Sequence, residues 1–204
     1  MTFSGWPVEA LEFYEGLGAD NSKTYWTAHL PFYEEQVRAP MAELLAELEP
    51  EFGPGKIFRP YRDVRFSKDK TPYKDHLGGW LHFGGYLQLS ADGLAAGSGM
   101  YHMEPDQLDR YRRAVADPRT GAELAAIVDK VGGVRGHDSL KTAPRGFAKD
   151  HPRVELLRHK GLTTWKQWPP AAWLGTAAAK KRIVDFFRAG QPLRQWLDEH
   201  VRVP

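Results

Sequence analysis

Residues 62–74 (RDVRFSKDKTPYK), called the basic segment below, have the types and spacing to bind an anion. An arginine guanidinium can hold a phosphate or carboxylate through two parallel hydrogen bonds, and a lysine adds a mobile positive charge. Aromatic rings between such cations can stack on a planar ring, as in grooves that bind single-stranded nucleic acids. The segment therefore predicts a site for a phosphate-bearing ligand, either a nucleotide or a short nucleic acid. Its predicted ligand-binding residues are Arg62, Arg65, Lys68, Lys70, Tyr73 and Lys74.

Two basic blocks stand in an otherwise acidic chain. The protein has 204 residues and a formal net charge of only +2, less than a generally basic nucleic-acid-binding protein carries. Residues 56–76 nevertheless hold seven Lys or Arg against three Asp, and residues 141–168 hold seven against one Asp and one Glu. If the blocks meet in the fold, Arg145 and Lys160 join the predicted site, and the combined field steers anions toward it. The alternative is that both blocks are solvated loops whose cations pair with acidic side chains.

A second hypothesis is an enzyme that acts on an anionic substrate. The candidate acid–base groups are His151, beside Asp150, and Tyr73 and Asp69 of the basic segment. A neighbouring cation would lower the pKa of Tyr73 or Lys70 and make that side chain a usable base or nucleophile. The competing interpretations are structural: an ordinary helix cap around His151, and local pairing between the aspartates and arginines of the segment.

A third hypothesis is a protein-interaction domain. Trp165, Trp168 and Trp173 are close together in the sequence, beside two consecutive prolines. If exposed, they would form an apolar patch of the kind that binds a partner. Such tryptophans more often cover a hydrophobic core, and we favour that interpretation here.

Composition and spacing exclude several kinds of site. The absence of cysteine excludes disulfides, thiolate nucleophiles and Cys-ligated metal centres. No two of the eight histidines have the His-x-x-x-His spacing of a helical metal site, so we expect no metal. Gly97-Ser98-Gly99 fits neither a dinucleotide-binding motif nor a nucleophile elbow, so we expect no cofactor. We interpret it as a strand whose small residues admit a close neighbour.

The sequence contains no sign of a membrane or secretory segment. No apolar run approaches the ~20 residues that span a bilayer. The N-terminus has no basic region followed by an apolar one. We therefore expect a soluble cytoplasmic protein without membrane contact, in an oligomeric state that the sequence leaves open.

Apolar residues recur at helical intervals toward both ends of the chain. Asn21 or Ser22 is expected to cap the second helix, and Thr120 with Glu123 to form a capping box later. Gly190 is expected to end one helix before Pro192 begins a separate last one. The predicted helices cover residues 7–18, 22–31, 32–48, 105–116, 120–131, 152–157, 176–189 and 192 onward.

Between these helices the pattern predicts strands. Residues 57–66 are extended, residues 76–101 form two or three antiparallel strands, and residues 162–168 form a returning strand. The dipeptides at 84–85 and 92–93 (GG and DG) predict the hairpin turns. This order favours the α+β class. We predict a central antiparallel sheet flanked by N-terminal and C-terminal helices, in a single α+β domain over residues 1–204.

The sequence resembles a conserved family catalogued as domain of unknown function 2461, over most of its length. The basic segment is the specific part of the resemblance, and a second Asn that accompanies Asn21 in the family is Ser22 here. The resemblance implies no established activity, so it supplies no mechanism. The motifs that carry it are Asn21 with Trp26, residues 62–74, 87–93, 97–101, Leu108 with Tyr111 and Arg112, and residues 144–146, 150–152 and 156–160.

Overall fold

The computed structural model describes residues 2–202. Contacts between residues gather in two compact units. The first unit comprises residues 2–96 with Gln167–Phe186, and the second comprises Gly97–Lys166 with residues 187–202.

Helices fill the N-terminal part of the first unit. They bury residues such as Leu17, Tyr33 and Met41 along their apolar faces. The chain becomes π-helical just before Pro40, which has no N–H to donate and whose ring crowds the preceding turn. The segments are α1 (Glu9–Ala19), α2 (Lys23–Phe32), the π-helical Tyr33–Arg38 and α3 (Ala39–Phe52).

Within residues 2–202 the strands form one six-stranded antiparallel sheet. They are β1 (Gly55–Ile57), β2 (His76–Leu81), β3 (Gly85–Ser90), β4 (Gly93–Met100), β5 (Val134–His137) and β6 (Gly161–Trp168), in the spatial order β1-β2-β3-β4-β6-β5. The hairpin predicted from residues 92–93 is present, one residue earlier than expected: the turn is at Ala91 and Asp92, and Gly93, whose φ of 97° favours glycine, begins β4.

Along β2 and β3, successive side chains point to opposite faces of the sheet. Leu77, Leu81 and Leu87 are fully buried on the face toward α3. Lys56 of β1 is the register partner of Trp80, and Trp80 is in turn the partner of Tyr86. These three residues therefore share the opposite face.

The second unit packs its helices around Tyr111 and Trp196. These helices are α4 (Pro105–Ala116), α5 (Pro118–Val131), α6 (Val154–Arg158) and the end of α7 (Ala178–His200), which begins in the first unit after a 3-10 turn over Ala172–Gly175. The interpretation of Gly97-Ser98-Gly99 as a close-packed strand is confirmed. A Cβ on Gly97 would lie 2.9 Å from the Trp165 ring.

Several helix boundaries differ from the sequence prediction, and two of the differences have a clear physical cause. The capping box at Thr120 is wrong, because α5 begins earlier and the Asp117 carboxylate accepts the N–H groups of Arg119 and Thr120, each at 2.9 Å. The break at Gly190 and Pro192 is also wrong, because α7 is continuous there. Burial of one apolar face of α7 outweighs the hydrogen bond that a proline removes.

The α+β class, with an antiparallel sheet and helices at both ends of the chain, is confirmed. The single domain over residues 1–204 stays a prediction. No helix in the described part of the chain has both the length and the apolar character to cross a bilayer.

Candidate functional site

The basic segment is the outer end of a ribbon, residues 55–81, that prolongs the pairing of β1 with β2. Beyond the strands, the Phe58 N–H donates to the Gly78 carbonyl at 2.9 Å. The Lys74 N–H then donates to the Pro60 carbonyl at 2.8 Å. The segment is therefore held at its base as a two-stranded hairpin, and only its tip projects freely.

Tyr73 anchors this ribbon to α2. The Asn21 side-chain amide donates to the Tyr73 carbonyl at 3.1 Å and accepts the Tyr73 N–H at 3.0 Å. The Tyr73 ring stacks on Trp26, with centroids 4.5 Å apart and planes 11° from parallel. Burial, with a smaller effect of Tyr61, raises the pKa of Tyr73. This is opposite to the direction that the catalytic hypothesis requires, so the expectation of a lowered pKa is wrong.

The arginines of the segment are held by its own aspartates. Arg62 donates from Nη1 to both Asp69 and Thr71. Arg65 binds the Asp63 carboxylate with two nitrogens, at 2.9 and 2.6 Å. The pKa of Asp69 is lowered to about 2 by hydrogen bonds, first from the Thr71 N–H and then from Arg62 and the Thr71 hydroxyl. The local pairing expected by the structural interpretation is therefore present at both arginines.

The lysines of the tip are arranged differently. Lys70 donates from Nζ to the Val64 carbonyl at 2.9 Å. Lys68 is exposed and has no hydrogen-bond or ion-pair partner among residues 2–202. Phe66, beside them, is 96% exposed. The tip thus carries positive charge, but its arginines are already engaged.

A second group of cations lies at the base of the ribbon, on the sheet face that carries Trp80 and Tyr86. Lys56 Nζ is 5.4 Å from the Phe58 ring centroid and 5.7 Å from that of Trp80. Lys74 Nζ is 5.6 Å from the Phe58 ring, and the Phe58 and Tyr86 rings are 6.2 Å apart. We call these five residues (Lys56, Phe58, Lys74, Trp80 and Tyr86) the aromatic–cationic face.

The two lysines of this face, Lys56 and Lys74, form no ion pair within residues 2–202. The exposed Arg59 forms none there either, but after the hydrogen bonds from Arg65 its positive charge also lowers the pKa of Asp63. Burial lowers the pKa of Lys74, and the nearby positive charge of Arg59 lowers it further. The nearest acidic neighbour along the chain, Asp75, is engaged by His76 Nδ1 at 2.7 Å.

Sequence reasoning missed most of this face. It included Lys74, but it did not select Lys56, Phe58, Trp80 or Tyr86 as site residues. Lys56 and Arg59 lie inside the first basic block, so charge gave a partial signal. The missing information was the register of β1, β2 and β3, which places the residues side by side.

The remaining predicted site residues belong to the second unit. The His151 ring accepts the Arg153 N–H at Nδ1, at 3.1 Å, in the turn before α6. Arg153 is the N-cap residue of α6 and makes no side-chain cap bond, so the helix cap expected around His151 stays a prediction. Arg145 is exposed and Lys160 half-buried, and neither side chain has a partner within residues 2–202. Their participation in one site with the basic segment stays a prediction.

The second unit also holds two hydrogen-bonded histidines that sequence reasoning did not single out. His159 Nδ1 and the Ser139 hydroxyl are 2.6 Å apart, and His137 Nε2 and the Thr163 hydroxyl are 2.7 Å apart. Burial lowers the pKa of both histidines. A serine beside a neutral histidine suits proton transfer, but no carboxylate of the described residues bonds to the other nitrogen of His159. Among these residues no group of three or more His, Asp or Glu could hold a metal ion.

Of the three clustered tryptophans, Trp168 covers a core. It is 8% exposed and contacts Trp173 and Phe186 edge to face, at centroid distances of 6.4 and 5.8 Å. For this residue the core interpretation is confirmed.

Comparison with protein-family models gives one assignment. The model described as "Conserved hypothetical protein (DUF2461)" matches residues 9–196 of the 204-residue chain. The chain belongs to the DUF2461 family. The match includes the whole ribbon and therefore the aromatic–cationic face. Searches of curated proteins and of solved structures give no significant match.

Proposed function

We propose that this DUF2461 protein binds a phosphate-bearing ligand on the aromatic–cationic face. The observation that carries the proposal is the pair of lysines, Lys56 and Lys74, at one ring, Phe58, with no ion pair to either lysine in the described chain. Burial lowers the pKa of Lys74, and the like charge of Arg59 lowers it further, so an anion at this position would stabilise the charged ammonium. A phosphate group placed among them replaces this repulsion with attraction and charge-assisted hydrogen bonds.

The face and the tip of the basic segment have different parts in this function. At the tip, Arg62 and Arg65 already bind Asp69 and Asp63, so a ligand has to compete with a carboxylate for each guanidinium. At the face, the ammonium groups of both lysines lie 5.4 to 5.7 Å from aromatic ring centroids, and neither forms an ion pair within residues 2–202. The proposed site is therefore centred on Lys56 and Lys74, with Lys68 as a peripheral cation.

The proposal is for binding without catalysis. The enzyme hypothesis needs an acid–base group beside the anion, and Tyr73 is unsuited because burial raises its pKa. Asp69 is also unsuited as a proton donor, since its pKa of about 2 keeps it ionised at neutral pH.

Calorimetric titration of the intact protein with inorganic tripolyphosphate tests the proposal. Replacement of both Lys56 and Lys74 by Ala removes two charge-assisted contacts, each of which contributes roughly tenfold or more to affinity. The expected loss is therefore about a hundredfold. The matched control is Lys23→Ala, which removes an exposed lysine of the same unit from α2. Equal affinity in the double variant and the wild type would contradict the proposal.

The contribution of the second basic block is tested separately. If Arg145 and Lys160 complete the same site, their joint replacement by Ala weakens tripolyphosphate binding as well. Unchanged affinity in that variant would show that the two blocks do not form one site.

A further inference from the structure

We propose that the ligand of this face is a single strand of nucleic acid, whose bases stack on Phe58, Trp80 and Tyr86. The inference rests on the proposed function, because the phosphates of the strand would be held by the same lysines. It adds a requirement for planar bases that phosphate binding alone does not have.

The three rings offer adjacent stacking positions. Trp80 of β2 is the register partner of Tyr86 of β3, and Phe58 follows β1 directly. Neighbouring strands are about 4.8 Å apart, so the rings stand on three consecutive rows of one surface. All three side chains are only half-buried. Each residue is therefore partly open to solvent, and a base that stacks on Phe58 or Trp80 takes the place of a lysine ammonium over the ring.

The two lysines of the face lie beside two of its rings. Lys56 Nζ lies near both Phe58 and Trp80, and Lys74 Nζ is also near Phe58. A strand with bases on Phe58 and Trp80 would therefore pass its phosphates close to these two ammonium groups. This combination of a positive track and sequence-tolerant stacking is the general design of single-strand binding surfaces.

Gly78 leaves space for two of the rings at the centre of the face. It lies between the rows of Phe58 and Tyr86, and an added Cβ would be 3.0 Å from both the Phe58 ring and the Tyr86 hydroxyl. Any side chain at this position has to displace those rings. The absence of a side chain leaves the two rings in place.

A strand fits this face better than a free nucleotide does. Small ligands are ordinarily held in a concave cleft that buries most of their surface. The residues of the face instead project from a sheet surface, and sheets with exposed aromatic residues stack two or three successive bases of a strand. A mononucleotide would use only one ring and one phosphate position.

The test compares two labelled oligomers of about ten nucleotides by fluorescence anisotropy: oligo-dT and an abasic strand of equal length. Wild type should bind oligo-dT at least tenfold more tightly than the abasic strand, since stacking contributes roughly fivefold to a hundredfold per base. Trp80→Leu should reduce this preference by roughly fivefold or more and keep its affinity for the abasic strand. Phe66→Leu, which changes an exposed ring outside the face, is the matched control. Thermal unfolding of each variant verifies that it folds.

Salt dependence separates the two kinds of contact. For single strands the logarithm of affinity falls with that of salt concentration by about 0.7 per phosphate contact. Lys56→Ala should make the slope shallower by about that amount, whereas Trp80→Leu should leave it unchanged. If Phe58→Leu also weakens the preference for oligo-dT and leaves the salt slope unchanged, a second ring takes part in stacking.

The outcomes distinguish this inference from the proposed function. Equal binding of both oligomers would overturn the inference and leave phosphate binding intact. Binding of neither oligomer, together with no tripolyphosphate binding, would overturn both. Thymidine monophosphate that binds as tightly as the oligomer, or a stronger effect of Phe66→Leu than of Trp80→Leu, would also overturn the inference.

Discussion

Replacement of Asn21 by Ala should loosen the ribbon from α2. The Asn21 amide makes two partly buried hydrogen bonds to Tyr73, at 3.0 and 3.1 Å, and thereby stands in for a neighbouring strand. Each such bond contributes about 1 kcal/mol net, so the free energy of unfolding should fall by about 2 kcal/mol. In a chain of this size that corresponds to a lower Tm by roughly 4–8 °C.

Thermal unfolding measures the loss, and hydrogen exchange at the Tyr73 amide locates it. Exchange should accelerate at this amide in Asn21→Ala. The matched control is Ser22→Ala, because the Ser22 hydroxyl accepts the Tyr25 N–H at 3.1 Å as the cap of α2. The control should cost about 1 kcal/mol and leave exchange at Tyr73 unchanged. A loss below about 0.5 kcal/mol for Asn21→Ala, with unaltered exchange at Tyr73, would show that the two Asn21 hydrogen bonds do not hold the ribbon on α2.

Two further predictions concern the core and the pH dependence. Trp168→Ser should cost about 3–5 kcal/mol, measured by denaturant unfolding, because Trp168 fills a buried position against Trp173 and Phe186. An unchanged unfolding midpoint would favour the interaction-patch hypothesis instead. Burial lowers the pKa of His159 from its ordinary 6.5, so the unfolded chain binds the proton more tightly. The stability from neutral His159 is therefore complete above pH 6.5 and is lost as the pH falls through the lower folded pKa. Denaturant titrations between pH 8 and pH 5 should show a smaller decline in His159→Gln than in wild type, with the exposed His102→Gln as control.

In the basic segment, residue types identify the cations but do not determine which of them are paired with aspartates. Its cations were evident from the sequence, and so was the possibility that Asp63 and Asp69 neutralise some of them. The structure pairs both aspartates, with Arg65 and Arg62 respectively. Which cations remain without an acid partner depends on side-chain geometry at the hairpin tip, and composition does not determine it.

The helix ends also depend on contacts that local sequence rules do not include. Both Asn21 and Ser22 are good capping residues, and the sequence could not choose between them. The structure uses Ser22 as the cap and Asn21 as the clamp on Tyr73, a residue 52 positions further along the chain. At Pro192 the local rule predicted a break, but α7 continues because its apolar face is buried on both sides of the proline.

The sequence by itself determined the features that depend on local patterns: the helical periodicities, the hairpin turns, the α+β order of elements, the absence of thiol chemistry and the concentration of charge in two blocks. These follow from the preferences of neighbouring residues and from simple counting. Only the tertiary structure decided that Lys56, Phe58, Lys74, Trp80 and Tyr86 share one face. The reason is that strand register is set by the burial of the opposite face, where a shift of one residue would expose the leucines of β2 and β3. The face is thus a consequence of core packing beneath the sheet.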